Sequence, residues 1–195
     1  MKILLVQTSF LGDTILSTPV IKGLHTLYPD ARIWMMTTPL SASLVERDPL
    51  LSGVISYDKR GKESGVSGLV RMSRRIKQMG FDKVYSLHRS FRTSLLVWLT
   101  RIPERTGCND AGISFVYNTR TKRNVNDHDV IRNLSILSRE TKLESFETEM
   151  RLFAPTCEEI SGTLKNRLPE KGEYAVLVPG SVWKTKMWKW QGFRS

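Results

Sequence analysis

Three groups of residues in this chain of 195 have the types and spacing to do chemistry. The first is the pair Gly12-Asp13 in "TSFLGDTI", a turn between an apolar run and a helical one. In an open α/β sheet a ligand binds beyond the carboxyl ends of the strands, so a carboxylate in this turn stands where a site is expected by default. Equally, it can cap the helix by accepting first-turn amides, and the turn alone leaves both readings open. Gly12 would let the backbone bend sharply or approach a ligand closely. A single glycine, in place of G-x-G-x-x-G, argues against a dinucleotide site.

The second group is cationic. Lys59, Arg60 and Lys62 follow an apolar run directly, and Arg71, Arg74, Arg75 and Lys77 come after them, with only Glu63 in opposition. Arg71, Arg74 and Arg75 share a helix face by spacing, which reads as a solvated face. Lys59, Arg60 and Lys62, with Arg89 and Arg92 further on, read alternatively as a rim for phosphate or carboxylate. His88, just before Arg89, is either a site residue or a polar strand end. His25 falls inside a helical run and reads as structural, and His128 and Asp129 stand near a helix start. None of these has partners in metal-ligand spacing, so no metal is expected.

The third group closes the chain. In "PGSVWKTKMWKW", Gly180 and Ser181 follow an apolar run, and Lys184, Lys186 and Lys189 interleave with Trp183, Trp188 and Trp190. A small-residue turn before a helix offers backbone N–H groups to an anion, and lysine adds charge. An unstructured basic tail would account for the lysines but not for three tryptophans.

These residues need elements to position them, and the apolar pattern supplies the elements. Strands are expected at "KILLVQTS" (2–9), "ARIWMMTT" (31–38), "GVISYD" (53–58) and "DKVYSLHRS" (82–90), with shorter ones at "ERTGCN" and "ISFVYNTR". Helical spacing marks "DTILSTPVIKGLHTLYP", kinked at Pro19, then "SASLVERDP", "SGLVRMSRRIKQMG" ending at Gly80, and "RTSLLVWLTR". Further helices are expected at "DHDVIRNLSILSRE", with Asp127 as N-cap, and at "CEEISGTLKNRL", before a last strand "YAVLVPGS". Continuous apolar strands alternating with helices predict an α/β domain, a Rossmann-like doubly wound parallel sheet. The polar break "PEKGE" divides it into residues 1–168 and a second unit, 169–195, with room for one strand and part of a helix.

The totals narrow the function classes. With 40% hydrophobic residues the chain can bury a proper core, so global disorder is excluded. A formal net charge of +11 favours anionic partners. Cys108 and Cys157 follow no metal or redox spacing and read as free thiols in a reducing compartment. The N-terminus lacks signal-peptide character, and the longest apolar run is far below spanning length. The expectation is a cytoplasmic protein, at most peripheral to a membrane.

Taken together, two of the turns resemble a known family. The opening "KILLVQTSFLGDTILSTPVIKGLHTLYPDARI" and the closing "VLVPGSVWKTKMW" are similar to the lipopolysaccharide heptosyltransferases of glycosyltransferase family 9. The correspondence lies in the strand at Leu4 to Val6, the Gly12-Asp13 turn and Pro19, in "YSLHRSFRTSLLVWL", and in Pro179, Gly180, Ser181, Trp183, Lys186 and Trp188. Met187 and Lys189 stand where that family commonly has Arg and Pro.

The resemblance implies a two-domain GT-B enzyme, of which this chain is the amino-terminal, acceptor-binding half with most of the C-terminal domain missing. It implies inverting, metal-independent transfer of heptose from ADP-heptose to the lipopolysaccharide inner core, in the manner of heptosyltransferase II, with no cofactor. Asp13 is then the base, and Gly180, Ser181 and Lys186 hold the donor. Gly12, Lys59, Arg60, Lys62, His88, Arg89, Arg92 and Arg120 meet an acceptor rich in phosphates and carboxylates. The acceptor, core and lipid A, implies peripheral contact with the cytoplasmic face of the inner membrane. The rival readings are a non-catalytic half-enzyme remnant, a basic nucleic-acid-binding α/β protein and a Rossmann dehydrogenase. No recognisable nucleic-acid-binding motif supports the second, and no nucleic-acid partner is expected.

Overall fold

A computed structural model of the chain describes residues 1–156, together with Ala175, Met187 and residues 190–193. It divides into two compact units, Met1–Ala154 and Pro155–Ser195. Of the second unit, one tight 3-10 turn at Trp190–Phe193 is described. The expected boundary at 168/169, the helix "CEEISGTLKNRL", Cys157, the run "VLVPGS" and the donor-side residues Gly180, Ser181 and Lys186 lie outside the described residues.

The first unit is built on six strands: β1 (Lys2–Val6), β2 (Arg32–Thr37), β3 (Leu51–Ser56), β4 (Lys83–Ser86), β5 (Glu104–Cys108) and β6 (Thr119–Thr121). They form one sheet in the order β3-β2-β1-β4-β5-β6, and every neighbouring pair is parallel. β1 is central, with Leu4 opposite Trp34 on one side and Val84 on the other. Its apolar run follows from that position, because both faces are covered. Ile3 and Leu5 pack into one core with Val20, Leu24, Ile33 and Leu134. Leu4 and Val6 pack into another with Ile55, Met72, Ile76, Val84 and Leu96. Each such fully buried side chain contributes about 1.5–3 kcal/mol of transfer free energy.

Helices cover both faces, as expected of a doubly wound sheet. α1 (Leu11–Ile15) and α2 (Pro19–Leu27) come first, then α3 (Pro39–Val45), α4 (Gly65–Met79), α5 (Phe91–Thr100) and α6 (Asp129–Leu134). α2, α3 and α6 supply the first core, and α4 and α5 the second. Gly80 ends α4 with φ 64°, the left-handed conformation that its lack of a Cβ permits.

Three local expectations are corrected. The kinked helix through Pro19 is two helices: Pro19 opens α2, where a missing N–H leaves no bond unmade. The cap of α6 is His128, whose Nδ1 accepts from the Val130 amide at 3.3 Å, and Asp127 instead accepts from the Asn124 side chain. "ISFVYNTR" is a 3-10 turn, Ser114–Val116, followed by the three-residue strand β6. The Tyr117 ring between them lies so close to Gly107 that a Cβ there would come within 2.6 Å of it. A side chain on β5 at that point would displace the ring.

The unit's last residues strap back across it. The Arg151 amide donates to Thr18 Oγ1 at 2.9 Å, and its guanidinium grips Asp48 through Nε and Nη2, each at 2.9 Å. Among the described residues no helix is long and apolar enough to cross a membrane.

Candidate active site

Strand order places the site. To one side of β1 the chain runs to β2 and β3, and to the other it runs to β4, β5 and β6. Loops leaving β1 and β4 therefore diverge, and a crevice opens beyond their carboxyl ends. The residues there are Gln7, Thr8 and Ser9 after β1, and Leu87, His88 and Arg89 after β4.

Asp13 is held at this edge. Its Oδ2 accepts from Ser9 Oγ at 2.6 Å and from the Phe10 amide at 3.1 Å. Phe10 is the N-cap of α1 and Asp13 its third residue, so the carboxylate reaches back to the cap rather than standing at it. Both bonds fall on Oδ2, and Oδ1 accepts none among the described residues. Capping and chemistry are thus compatible in one carboxylate: one oxygen is fixed and the other is available. Gly12 lies within α1 at an ordinary helical φ, so no sharp bend is needed there. A Cβ on Gly12 would meet nothing within 4 Å.

His88 bridges the two strands. Its Nδ1 lies 3.0 Å from Thr8 Oγ1, 2.6 Å from Thr93 Oγ1 and 3.2 Å from Ser90 Oγ. Burial, with the Lys59 ammonium nearby, pushes its imidazole down to about 4, against the opposing pull of Asp13. At neutral pH the ring is uncharged.

Two cavities flank Ser9 and His88, which line both. The first, about 500 Å³, is walled by Phe10, Leu11, Pro39, Leu40 and Tyr57, with Lys59 and Arg60 at its rim. Lys59 Nζ donates to the Thr8 carbonyl at 2.5 Å, and the Arg60 guanidinium lies 5.8 Å from the Phe10 ring centre. Burial, reinforced by Arg60 and Arg92, lowers the Lys59 ammonium below its ordinary value. The second cavity, about 400 Å³, is polar: Gln7, Asp13, Arg89, Asp110, Arg123, Asp129, Arg132 and Asn133 contribute to it.

The cations expected as a single rim are therefore divided. Lys59 and Arg60 belong to the first cavity and Arg89 to the second, where it pairs with Asp110. Arg92 is turned to structure: Nε donates to Tyr57 Oη at 2.9 Å and Nη2 to the Glu63 carbonyl at 2.6 Å, tying α5 to the loop after β3. Lys62 and Arg120 are exposed and line neither cavity. Sequence reasoning missed Gln7, Asp110, Arg123, Arg132 and Asn133. The run "NDHDVIRN" gave a partial signal for α6, but nothing local links it to β1. Among the described residues, no group of three or more His, Cys, Asp or Glu is placed to hold a metal.

A parallel sheet in this order, presenting a fixed carboxylate, a neutral histidine and divided cations at its switch point, defines a Rossmann-like domain with a polar-ligand site. Comparison with known proteins agrees in fold. A glycosyltransferase family 9 structure from Veillonella parvula matches with a TM-score of 0.81 at 24% identity, over 98% of this chain and 57% of that one. The Escherichia coli heptosyltransferase WaaC with ADP-2-deoxy-2-fluoro heptose matches at 0.73 and 17%, over the whole of this chain and 64% of that one. The architecture is that of the Rossmann-like half of a GT-B glycosyltransferase.

The family model of glycosyltransferase family 9 (heptosyltransferase) matches residues 69–195, and the chain belongs to that family. Lipopolysaccharide heptosyltransferase 2 of Salmonella typhimurium and of Escherichia coli are each 27% identical over 107 residues, 55% of this chain and 31% of theirs. Lipopolysaccharide heptosyltransferase 3 of Escherichia coli is 24% identical over 184 residues, 91% of this chain and 53% of its own length. The matched stretches thus span 31% to 53% of the length of these curated relatives.

Proposed function

We propose that the protein carrying this chain transfers heptose from ADP-heptose to the inner core of lipopolysaccharide, in the manner of heptosyltransferase 2. The observation that carries the reading is Asp13: a carboxylate fixed through Oδ2 at the switch point, with Oδ1 available, in the wall of the second cavity beside Arg89, Arg123 and Arg132. Membership of family 9 supports the reaction type, and the heptosyltransferase 2 relatives support the choice within it.

In this mechanism an acceptor hydroxyl attacks the anomeric carbon of the heptose from the face opposite the diphosphate. The new C–O bond forms as the bond to the diphosphate oxygen breaks, which inverts the centre. Asp13 takes the hydroxyl proton, and ADP leaves with the bonding pair. His88, uncharged, adds no competing positive charge beside the base. Lys186 and the amides near Gly180 and Ser181 neutralise the leaving diphosphate, so no metal or cofactor is required. Lys59 and Arg60 receive anionic groups of the acceptor. An acceptor anchored in lipid calls for peripheral contact with the cytoplasmic face of the inner membrane.

The test is turnover of the intact protein with ADP-heptose and a core acceptor lacking the second heptose. Wild type is expected to transfer. Asp13→Asn is expected to lose about 10²–10⁴-fold in kcat, the usual contribution of a positioned base, while binding ADP-heptose normally. No transfer by wild type overturns the reaction, and near-normal turnover by Asp13→Asn overturns the base.

A further inference from the structure

We infer that the outward face of α4 and α5 is a docking surface for a bilayer rich in anionic lipid, on which this domain lies without crossing it. The inference deepens the proposed function and rests on it in one respect: the acceptor of that reaction is anchored in lipid.

The charges point first to an anion. α4 carries Arg71, Arg74, Arg75 and Lys77, all exposed, and neither α4 nor α5 contains an acidic residue. Arg71, Arg74 and Arg75 fall at i, i+3 and i+4 and so form one row. Arg71 Nη2 donates to the Lys62 carbonyl at 2.6 Å. Among the described residues none of the four cations forms an ion pair, whereas Lys83, Arg89, Arg132 and Arg151 each have a carboxylate. Basic residues gathered on one face without counter-charge attract an external anion.

The apolar side chains narrow the choice. Val66, in the first turn of α4, is 76% exposed, and Phe91 and Trp98, two turns apart on α5, are 62% and 53% exposed. Phe115, 80% exposed, stands on the 3-10 turn Ser114–Val116, which lies against α5. α4 and α5 pack side by side over one core, with Leu69, Met72 and Ile76 facing inward from one and Leu96 and Val97 from the other. Their remaining rows therefore face outward together. Trp98 shares a surface pocket with Arg101. An indole beside a guanidinium suits the boundary of headgroups and acyl chains, where one end of the ring is apolar and the other wet. Scattered exposed apolar residues need no explanation, but several on one face with unpaired cations do.

A bilayer satisfies both sets at once. Nucleic acid would meet the cations, but single strands are held in grooves, and this is the outer side of two helices. A protein partner would bury the arginines, at a cost unless each found a carboxylate. An anionic leaflet offers charge in water and hydrocarbon just beneath it, and each basic residue near its surface strengthens binding about fivefold. Among the described residues no helix is long and apolar enough to cross a membrane, so the contact is one of lying on the surface.

The experiment is cosedimentation of the intact protein with two kinds of vesicle: phosphatidylglycerol and phosphatidylcholine in equal parts, and phosphatidylcholine alone. Wild type is expected to bind the anionic vesicles at least about tenfold more tightly, with the difference shrinking as salt rises. Replacing Arg74, Arg75 and Lys77 together by Gln is expected to weaken that binding on the order of 100-fold. Replacing Arg32, Arg139 and Lys142 by Gln removes the same charge from exposed positions outside α4 and α5, and is expected to change it little. Trp98→Gln with Phe115→Gln is expected to lose about tenfold while keeping the salt dependence. All these sites are exposed, so the thermal midpoints should hold. Equal binding of wild type to both vesicles overturns the proposal. So does an equal loss in the two charge variants, which would make net charge the cause, or tighter binding to a mixed-sequence oligonucleotide than to anionic vesicles. No donor or acceptor is present, so these outcomes stand apart from failure of the transfer reaction itself. Where transfer is measurable, the α4 variant is expected to keep it on a core oligosaccharide freed of lipid and to lose it on the same core in vesicles.

Discussion

Two aspartates in this domain are held in contrasting ways. Asp48, 1% exposed in its side chain, is gripped by both ends of the Arg151 fork where the strap crosses the sheet's flank. Asp13, at the sheet's carboxyl edge, has a hydroxyl and an amide on one oxygen and no cation paired with it. The first arrangement consumes the carboxylate's capacity, and the second leaves part of it over. A carboxylate with every lone pair engaged stabilises a fold; one with an oxygen unengaged can accept a proton from something else.

The contrast can be broken from either end. Arg151→Ala leaves Asp48 as an unpaired buried carboxylate, and the expected loss of stability is about 3–5 kcal/mol, read by denaturant unfolding. An unchanged midpoint would show that the strap is ornamental. Asp13→Asn keeps an oxygen that can accept from both Ser9 Oγ and the Phe10 amide, so it is expected to cost far less in the same measurement, about 1 kcal/mol, although it abolishes most turnover. Equal destabilisation by both variants would make Asp13 a structural residue like Asp48.

His88 sharpens the comparison through pH. Its folded pKa lies below its unfolded one, so between about 6.5 and 4 the unfolded chain binds a proton that the folded chain does not. Stability on this account is full above pH 6.5 and falls as pH drops toward 4, by on the order of 2–3 kcal/mol. In His88→Gln the fall between pH 7 and 4 is expected to be smaller by that amount. An identical pH dependence in the two proteins contradicts the burial of an uncharged ring.

The smallest effects separate the cations. Arg92→Gln removes two hydrogen bonds from a charged donor and is expected to destabilise by about 1–3 kcal/mol. Lys62→Ala, at an exposed site, is expected to leave the thermal midpoint unmoved. If the two behave alike, the division of cations into fold and rim is wrong.

Much of this architecture is legible in the sequence, because apolar runs and helical spacing are local signals. The run at residues 2–9 predicts a strand covered on both faces, and Gly80 predicts its helix end. β6 is shorter than its sequence reads, because the place of Tyr117 is set by Gly107, a neighbour across the sheet. Pro19 reads as an interruption, but whether it kinks a helix or starts one depends on what Ser17 and Thr18 do before it. The site divides in the same way. Asp13 and His88 follow strands and can be read from position. The partition of Lys59, Arg89, Arg92 and Arg120 depends on where side chains find partners, and Arg123, just past β6, and Arg132, on α6, join the cavity beside Gln7 only through tertiary packing.

The central place of β1 bears on how the chain is made. It is synthesised before the other described strands, yet one of its two flanking partners, β4, begins about eighty residues later, at Lys83. Until then the ladder that will receive β4 is an open edge, carrying the apolar side chains of "KILLV". Unpaired edges of that kind recruit other strands, and domains assemble from the N-terminus as synthesis proceeds. A pause in translation before residue 83 therefore exposes the sheet's most adhesive seam, and chaperone demand during synthesis should be greatest in that interval.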